Sequence, residues 1–321
     1  MTFIRTLFML GALVLFSQPA LSQKYPDKPL RLIVPFSAGG VTDLVARIYA
    51  SELGKSLGQT VVVENKTGAA GAVAMDAVKQ AAADGYTLML ATIGTQAINP
   101  ALIPTLRYSP NDLDYVTMLT TVPQLLVVNA SSPIHSVAEL VDHAKKNPGT
   151  LSYGSSGIGS APHLAVEIFS SRAGFQAVHV PYRGSSQSIT DLIAGRLDFM
   201  IDPVTTTLPY VQAGKLRALA VSTPERLAVL PDLPTIAESG YPDYDVGVWN
   251  TIAVRKGTPR AVIERLASDS ARILSSEQIR KRLQDVGAVP FAASPEESQA
   301  FVAREQSKYK QIVRDANLKA E

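Results

Sequence analysis

Two glycine-rich segments of the chain carry the residue types that bind a small anion. Residues 37–40 (SAGG) follow an apolar run, and residues 151–169 (LSYGSSGIGSAPHLAVEIF) contain three glycines within a short loop. Because glycine has no Cβ, a ligand can approach the main chain closely at such positions. Both segments precede a predicted helix, whose first N–H groups are unpaired and lie at the positive end of the helix dipole. The pattern predicts two anion sites, although glycines that only form tight turns would look the same.

The second loop is followed by residues that indicate a helix start. Ser160 is the predicted N-cap, and Pro162 stands in the first turn, where a missing N–H is tolerated. His163, in the same turn, either reaches a ligand or only caps the helix. A third loop contains Arg183, whose guanidinium either meets an anion or lies on the surface. These residues extend the candidate anion site and leave its chemistry open.

Two residues at predicted strand ends each have two interpretations. Asp202 ends the apolar run LDFMID, and a buried carboxylate is costly unless a donor faces it. It therefore either faces a ligand or caps the helix that begins near Pro203. Trp249, the only tryptophan, begins the run WNTIAV and forms either a wall of the site near a hinge or part of the core.

Motifs of catalysis, nucleotide binding and metal binding are missing from the sequence. A nucleophile elbow in YGSSGIG would need glycine where Ile158 stands, and Pro162 replaces the last small residue of a dinucleotide fingerprint. The 4 histidines show no metal-ligand spacing, and the chain has no cysteine. We therefore expect no enzyme, no cofactor and no metal ion.

The charge balance and the N-terminus indicate an exported protein without nucleic-acid partners. Lysine and arginine total 30 against 28 acidic residues, which leaves no basic excess to follow a phosphate backbone. Residues 1–22 contain one arginine, an apolar run and a small-residue exit, as in a secretory signal peptide cleaved near Ser22. The apolar run is too short to span a bilayer, so a retained membrane anchor is the weaker alternative.

Apolar strand-like runs alternate with helical periodicity along most of the chain. This alternation predicts an α/β fold whose sheets are mixed, mostly parallel and flanked by helices. The length of 321 residues suits two domains. Two stretches rich in proline, serine and glycine, 128–136 and 231–245, predict the crossings between two lobes, with the helices from about Pro259 onward packed on the first lobe. The predicted lobes are residues 23–126 with 251–321, and residues 127–250.

Several motifs follow one another in an order that indicates a known family. They include VPFSAGGVTDLVAR, ADGYTLMLAT, HVPYRGSSQSITDLIAGRLDFMID and LPDLPTIAESG, and together the matching stretches span nearly the whole mature chain. The chain resembles an extracytoplasmic solute receptor of the tripartite tricarboxylate transporter type, also called the Bug family. The resemblance implies a two-lobed periplasmic binding protein, of the type II-like Venus flytrap class with two hinge strands. It also implies a non-catalytic receptor that closes on a small organic carboxylate and delivers it to membrane permease subunits.

In that family the carboxylate is held by main-chain N–H groups, hydroxyls and waters from the first two loops, and the resemblance carries these roles onto this chain. Departures from the family pattern leave the ligand open: the first loop lacks the common proline, Arg183 replaces a lysine, and Asn250 replaces an aromatic residue. The ligand is a di- or tricarboxylate, an aromatic acid or an amino acid. The predicted ligand-binding residues are Ser37, Ala38, Gly39, Gly40, Asp43, Thr92, Ser155, Ser156, Gly157, Ser160, His163, Asp202 and Trp249.

Two other functions remain open at the level of sequence. The same cleft would serve a periplasmic receptor that reports its ligand to a signalling partner without transport. A periplasmic hydrolase is the enzyme alternative, against which the missing nucleophile and base motif argues. We expect a monomer located in the periplasm, with no bound cofactor.

Overall fold

The computed structural model describes residues 25–315 with the exception of residues 37, 183 and 243. The predicted signal peptide, Ser37 and Arg183 lie outside the described residues. Within those residues, no helix is long and apolar enough to cross a membrane. The strands are β1 Leu30–Val34, β2 Val61–Asn65, β3 Thr87–Thr92, β4 Leu113–Val122, β5 Gln124–Asn129, β6 Ser152–Ser155, β7 Val178–Pro181, β8 Phe199–Pro203, β9 Leu216–Val221, β10 Val248–Arg255 and β11 Val289–Pro290. The helices are α1 Val41–Leu57, α2 Ala72–Gln80, α3 Asn99–Leu102, α4 Val137–Lys146, α5 Ala161–Ala173, α6 Ser185–Ile193, α7 Val204–Gln212, α8 Arg260–Ser275, α9 Glu277–Asp285 and α10 Pro295–Asp315.

The strands form two sheets, and both sheets are mixed. In the first, with the order β11-β4-β10-β3-β1-β2, β1 is parallel to β2 and β3, while β10 is antiparallel to β3 and β4. In the second, with the order β7-β6-β8-β5-β9, β6 is parallel to β7 and β8, while β5 is antiparallel to β8 and β9. The predicted α/β class with two mixed sheets is confirmed. The expectation of mostly parallel strands is wrong, because five of the nine strand pairs among the described residues are antiparallel: β10 returns between β3 and β4, β11 joins β4, and β5 lies between β8 and β9. β4 is the strand that the sequence pattern shows least clearly, because Asp114 and several threonines interrupt its apolar run.

The chain passes between the two sheets twice. Only Pro123 separates β4 in the first sheet from β5 in the second, and the return runs from β9 to β10 through residues 222–247. The stretch 128–136, predicted as the first crossing, instead runs from the last two residues of β5 to the residue before α4, because its proline and serines mark a turn and not a change of sheet. The limits of the lobes at residues 126 and 250 stay a prediction.

Local sequence signals explain where individual helices begin and end. Ser136 caps α4 by accepting from the Glu139 N–H at 3.1 Å, and the Glu139 carboxylate accepts from the His135 N–H at 2.6 Å, one residue before the cap. α1 ends at Gly58, whose φ of 69° is the left-handed conformation that glycine adopts without strain. Both helix ends therefore follow from local sequence signals, a serine three residues before a glutamate and a glycine directly after the last apolar residue.

Helices cover both faces of the first sheet. Leu30 and Leu32 of β1 pack on the side of α1 and α8, while Ile33 faces the opposite side with α2 and α10. The buried hydroxyls of Tyr49 in α1 and Ser270 in α8 are 2.7 Å apart. A helix from the C-terminal part of the chain therefore packs on the first helix and supports the strands that carry the first glycine loop.

Candidate ligand-binding site

The predicted ligand loops lie at the carboxyl ends of parallel strands. The first loop joins β1 to α1, the second joins β6 to α5, and Asp202 is the last residue but one of β8, which α7 follows without a loop. Thr92 ends β3, which is parallel to β1. Each sheet therefore gathers its predicted residues along one edge, which is where open α/β sheets bind ligands.

The second loop contacts α3, the helix that follows the carboxyl end of β3 in the first sheet. A Cβ on Gly159 would lie 2.3 Å from Leu102 Cδ2 in α3, the helix that follows β3. A separation below 3 Å cannot be accommodated without movement of one partner. The second loop therefore packs against the chain that follows β3, and the φ of +73° at Gly159 is a second reason why glycine suits this position.

Asp43 organises the first loop from within the first turn of α1. Its side chain is only 2% exposed. Its Oδ2 accepts from the Gly39 N–H at 3.0 Å and from Arg47 Nε at 2.8 Å, and its Oδ1 accepts from Asn65 Nδ2 at 2.9 Å. Burial alone would raise the pKa of Asp43, but these three hydrogen bonds outweigh it and lower the pKa to about 2. Both carboxylate oxygens are engaged by protein donors, and direct contact of Asp43 with a ligand stays a prediction.

Replacing Asp43 by asparagine is expected to destabilise the chain by about 2 kcal/mol at pH 7, because a buried donor loses its charged acceptor. A carboxylate with a lowered pKa stabilises the fold above its ordinary pKa near 4, and this contribution disappears as the pH falls through about 2. The difference between wild type and Asp43→Asn in urea unfolding should therefore shrink between pH 4 and pH 2. Asp285→Asn, at an exposed pair with Lys281, is the control, with an expected change below about 0.5 kcal/mol. An equal destabilisation at pH 7 and pH 2 would contradict the role of the charge.

The second loop is closed by its own side chains. Ser155 Oγ accepts from the Gly157 N–H at 3.1 Å, and the Gly159 N–H donates to His163 Nδ1 at 3.1 Å. Ser160 is the N-cap of α5, as predicted, and its hydroxyl also donates to the Gly157 carbonyl at 2.7 Å. Main-chain N–H groups at two of the loop's glycines are thus bound internally. Whether these residues also contact ligand stays a prediction.

His179 in β7 belongs to this arrangement and is absent from the predicted set. Its Nε2 lies 2.7 Å from Ser155 Oγ, and its ring stacks on His163 with the centroids 4.0 Å apart. Burial lowers the pKa of both imidazoles to about 4, and the neighbouring His179 adds to the effect at His163. Both rings are neutral at pH 7. No local pattern reveals the pair, because it depends on the parallel register that places Tyr153 of β6 beside His179.

The contact between Ser155 and His179 has the length of a nucleophile and base pair. Ser155 is completely buried, however, and its oxygen accepts the Gly157 N–H. Among the described residues no carboxylate bonds to His179 to orient it as a base. The pair therefore holds the loop in place and does not present a nucleophile to a substrate.

Asp202 connects the first turns of two helices. The residue is completely buried, its Oδ1 accepts from Ser185 Oγ at 2.7 Å in α6, and its Oδ2 accepts from the Thr206 hydroxyl in α7. Burial raises the pKa of Asp202 to about 6, against the opposing effect of the two hydroxyl bonds. The alternative in which Asp202 caps α7 is wrong, since the N-cap is Pro203 and no side chain caps that helix. Its contact with ligand stays a prediction.

Trp249 lies in the core at the start of β10. It is 2% exposed, its Nε1 donates to Glu305 Oε2 at 2.9 Å, and its ring meets Phe301 edge to face with the centroids 5.6 Å apart. These partners both belong to α10, so the indole joins that helix to the strand that returns from the second sheet. This supports the core interpretation, and a ligand contact stays a prediction.

Thr92 and Asn250 lie side by side at the carboxyl edge of the first sheet, directly opposite each other in β3 and β10. Both are at least 98% buried. Asn250 Nδ2 donates to Thr120 Oγ1 at 2.9 Å, whereas Asn250 Oδ1 has no hydrogen-bond partner among the described residues. The residue that departs from the family pattern therefore supplies an unpaired acceptor next to a predicted ligand residue.

Two mixed sheets, two crossings and glycine loops at the carboxyl edges define the class of two-lobed periplasmic binding proteins. Within the described residues, no cluster of three or more His, Asp or Glu side chains could hold a metal ion. Residues 45–318 match the tripartite tricarboxylate transporter family receptor. The chain belongs to this family of solute receptors.

Solved structures of relatives agree with this assignment in sequence and in fold. Rpa4515 of R. palustris, determined with adipate, is 36% identical, covers 92% of this chain and 99% of its own, and superposes with a TM-score of 0.79. The periplasmic binding protein BugD is 34% identical over 92% of this chain and 100% of its own, with a TM-score of 0.75. MatC of Rhodopseudomonas palustris, determined with malate, is 31% identical over 90% of this chain and 100% of its own, with a TM-score of 0.74.

Proposed function

We propose that this chain is a periplasmic receptor that captures a small organic carboxylate between its two lobes and delivers it to membrane permease subunits. The observation that carries the proposal is the placement of two glycine loops at the carboxyl edges of the two sheets. Relatives with this fold hold adipate and malate, which are both dicarboxylates. We infer export to the periplasm from the predicted signal peptide and from the family.

The main-chain donors that remain unpaired indicate how a carboxylate would be held. The N–H groups of Gly39, Gly157 and Gly159 already donate to protein acceptors. Among the described residues, the N–H groups of Ser156 and Ile158 have no such acceptor, and both residues are at least partly exposed. We therefore assign the carboxylate to these two donors, which the internally bonded glycines hold in a fixed direction.

A catalytic role finds no support in the site. The one serine and histidine pair of the second loop is buried and bonded to the loop itself. We therefore place the chain among the non-catalytic receptors. Incubation with candidate esters or amides should yield no product, and product formation that depends on Ser155 would contradict this assignment.

Native mass spectrometry of protein purified without refolding tests the proposed function directly. The expected result is a mass increment of a small carboxylic acid, followed by calorimetric titration with adipate, malate, citrate, benzoate, nicotinate and glutamate. Loss of uptake on deletion of the cognate permease would separate transport from sensing. Failure of every acid in this panel to bind, together with an empty mass spectrum, would contradict the proposal.

Ligand binding is expected to make the molecule more compact and more stable. Lobes joined by two crossings close as a hinge around what they bind, and a ligand that binds only the closed form shifts the equilibrium toward it. At a concentration of 100 times Kd, the ligand adds about 2.7 kcal/mol to the free energy of unfolding. Small-angle scattering should show a smaller radius of gyration with saturating ligand. The same radius with and without bound ligand would argue against a hinge.

A further inference from the structure

The donor and acceptor roles in the second loop follow from counting hydrogen bonds. The Gly157 carbonyl accepts from both the N–H and the hydroxyl of Ser160, at 3.1 and 2.7 Å. These two bonds use both lone pairs of that oxygen. The Ser155 hydrogen is therefore directed to His179 Nε2, which is also its shorter contact at 2.7 Å against 3.1 Å to the Gly157 carbonyl. His179 is consequently an acceptor at Nε2.

His163 is an acceptor for the same kind of reason. A peptide N–H can only donate, so the bond of 3.1 Å from the Gly159 N–H requires an unprotonated Nδ1 on His163. Each imidazole thus holds one part of the loop through a lone pair. His163 holds the Gly159 amide directly, and His179 holds the Gly157 amide through the Ser155 hydroxyl.

Among the residues that the structure describes, one charged group is in recorded contact with the two rings. Tyr153 of β6 stacks on His179 with the centroids 4.9 Å apart and donates its hydroxyl to Glu167. The Glu167 carboxylate of α5 lies 4.0 Å from His163 Nε2. It would therefore form an ion pair with a protonated His163, and with that ring only. Burial raises the pKa of Tyr153, so its hydroxyl stays a donor. Two rings stacked at 4.0 Å cannot both be charged without strong repulsion.

We propose that His179 is a positioning residue for ligand capture. Together with His163 it forms a latch, by which we mean the pair of imidazoles that holds the Gly157 and Gly159 amides only while both rings are neutral. A proton on His163 Nδ1 would face the Gly159 N–H donor to donor and break that bond. A proton on His179 Nε2 would turn the ring from acceptor to donor toward Ser155. Acid therefore breaks the Gly159 bond outright, and it weakens the hold on the Gly157 amide because the Ser155 hydrogen loses its acceptor. The effect on ligand affinity rests on the proposed function, whereas the latch itself does not.

Amide hydrogen exchange measured by NMR without ligand tests the latch. Protection of Gly157 should fall at least tenfold in His179→Leu at pH 7, and His179→Gln, which keeps an acceptor, should recover most of it. His143→Gln removes an exposed imidazole of α4 and is the control, with wild-type protection expected.

The same measurement on the wild type tests the effect of pH. Protection of Gly157 and Gly159 relative to amides of β3 should fall at least tenfold between pH 7 and pH 4, and the fall should be smaller in His179→Gln. Unchanged Gly157 protection in folded His179→Leu would overturn the proposal. If that variant does not fold, constant wild-type protection down to pH 4 would do so.

Adipate and malate titrations of the wild type and of His179→Gln at pH 7.5 and pH 3.5 test the consequence for binding. The ionisation of the ligand is common to both proteins, so the ratio of their affinities isolates the histidine. The wild type should weaken about threefold more than His179→Gln on acidification, because an imidazole with a pKa of about 4 is mostly protonated only below pH 4. Equal pH dependence would overturn the link to ligand capture. If neither acid binds to either protein at any pH, the proposed function fails for these ligands, and the exchange experiment alone decides on the latch.

Discussion

Replacing Gly157 by valine is expected to lower the affinity for whichever carboxylate the titration panel identifies by at least thirtyfold while the chain stays folded. Gly157 has φ +117°, a conformation in which a β-branched residue is strongly strained, and its Cβ would lie 3.4 Å from the Tyr182 carbonyl. Relief of the strain would turn the neighbouring peptide groups, including the Ser156 and Ile158 N–H donors assigned to the carboxylate. A misalignment that costs about 2 kcal/mol of binding free energy corresponds to roughly thirtyfold in Kd. Calorimetric titration measures the loss directly.

Gly149→Val is the matched control for this experiment. Gly149 also has a positive φ, of 69°, with open space around a Cβ, but it lies before the amino end of β6, opposite the second loop. Its replacement should lower the melting temperature and leave the affinity unchanged. Gly39→Val, at φ +87° in the first loop, should behave like Gly157→Val. Wild-type affinity in both loop variants would remove the glycine loops from the site.

Asp202→Asn is expected to stabilise the chain by about 2 kcal/mol at pH 8 and to change the ranking of ligands. The pKa of Asp202 is raised to about 6, so the carboxyl favours the fold below its ordinary pKa near 4, and this contribution is lost as the pH rises through 6. Asparagine imitates the neutral acid at every pH, so it should match the wild type near pH 4 and exceed it above pH 6. Urea unfolding between pH 4 and pH 8 provides the measurement.

The effect of Asp202→Asn on ligand choice follows from the charge itself. A second carboxylate of the ligand placed about 4 Å from Asp202 would be repelled by about 4 kcal/mol at an effective dielectric constant of about 20. An ammonium, amide or hydroxyl at the same place would gain a charge-assisted hydrogen bond. The variant should therefore gain affinity for adipate and malate and lose any preference for amino-bearing acids.

Asp198→Asn is the control for both measurements. Asp198 is exposed just before β8 and accepts from the N–H and hydroxyl of Ser152, away from the carboxyl edge. Its replacement should not alter the ligand ranking or add a stability difference that grows between pH 4 and pH 8. An unchanged ranking in Asp202→Asn would exclude the charge as a determinant of specificity. An unchanged pH dependence of stability would contradict the raised pKa.

Patterns that act over a few residues determine the fold class of this protein, the positions of its glycine loops and several of its helix ends. Alternating strand and helix signals predicted the α/β class, and glycine-rich loops after strands predicted where the candidate site lies. The serine caps of α4 and α5 followed from the same local rules. These features depend on backbone sterics and on hydrogen bonds between neighbouring residues, so a short stretch of sequence contains the whole cause.

The tertiary structure alone decided which groups meet across strands and helices. The contact of His179 with Ser155 and His163 requires the parallel register of β6 and β7 together with the position of α5. Asp202 is predicted from sequence either to face a ligand or to cap the next helix, and the structure instead shows its carboxylate accepting from hydroxyls of two helices without capping α7. The first crossing is predicted at 128–136 but lies at Pro123, because proline and serine mark turns equally well within a lobe and between lobes. Register, burial and shared partners depend on distant residues, so the ionisation states that they set are properties of the folded chain.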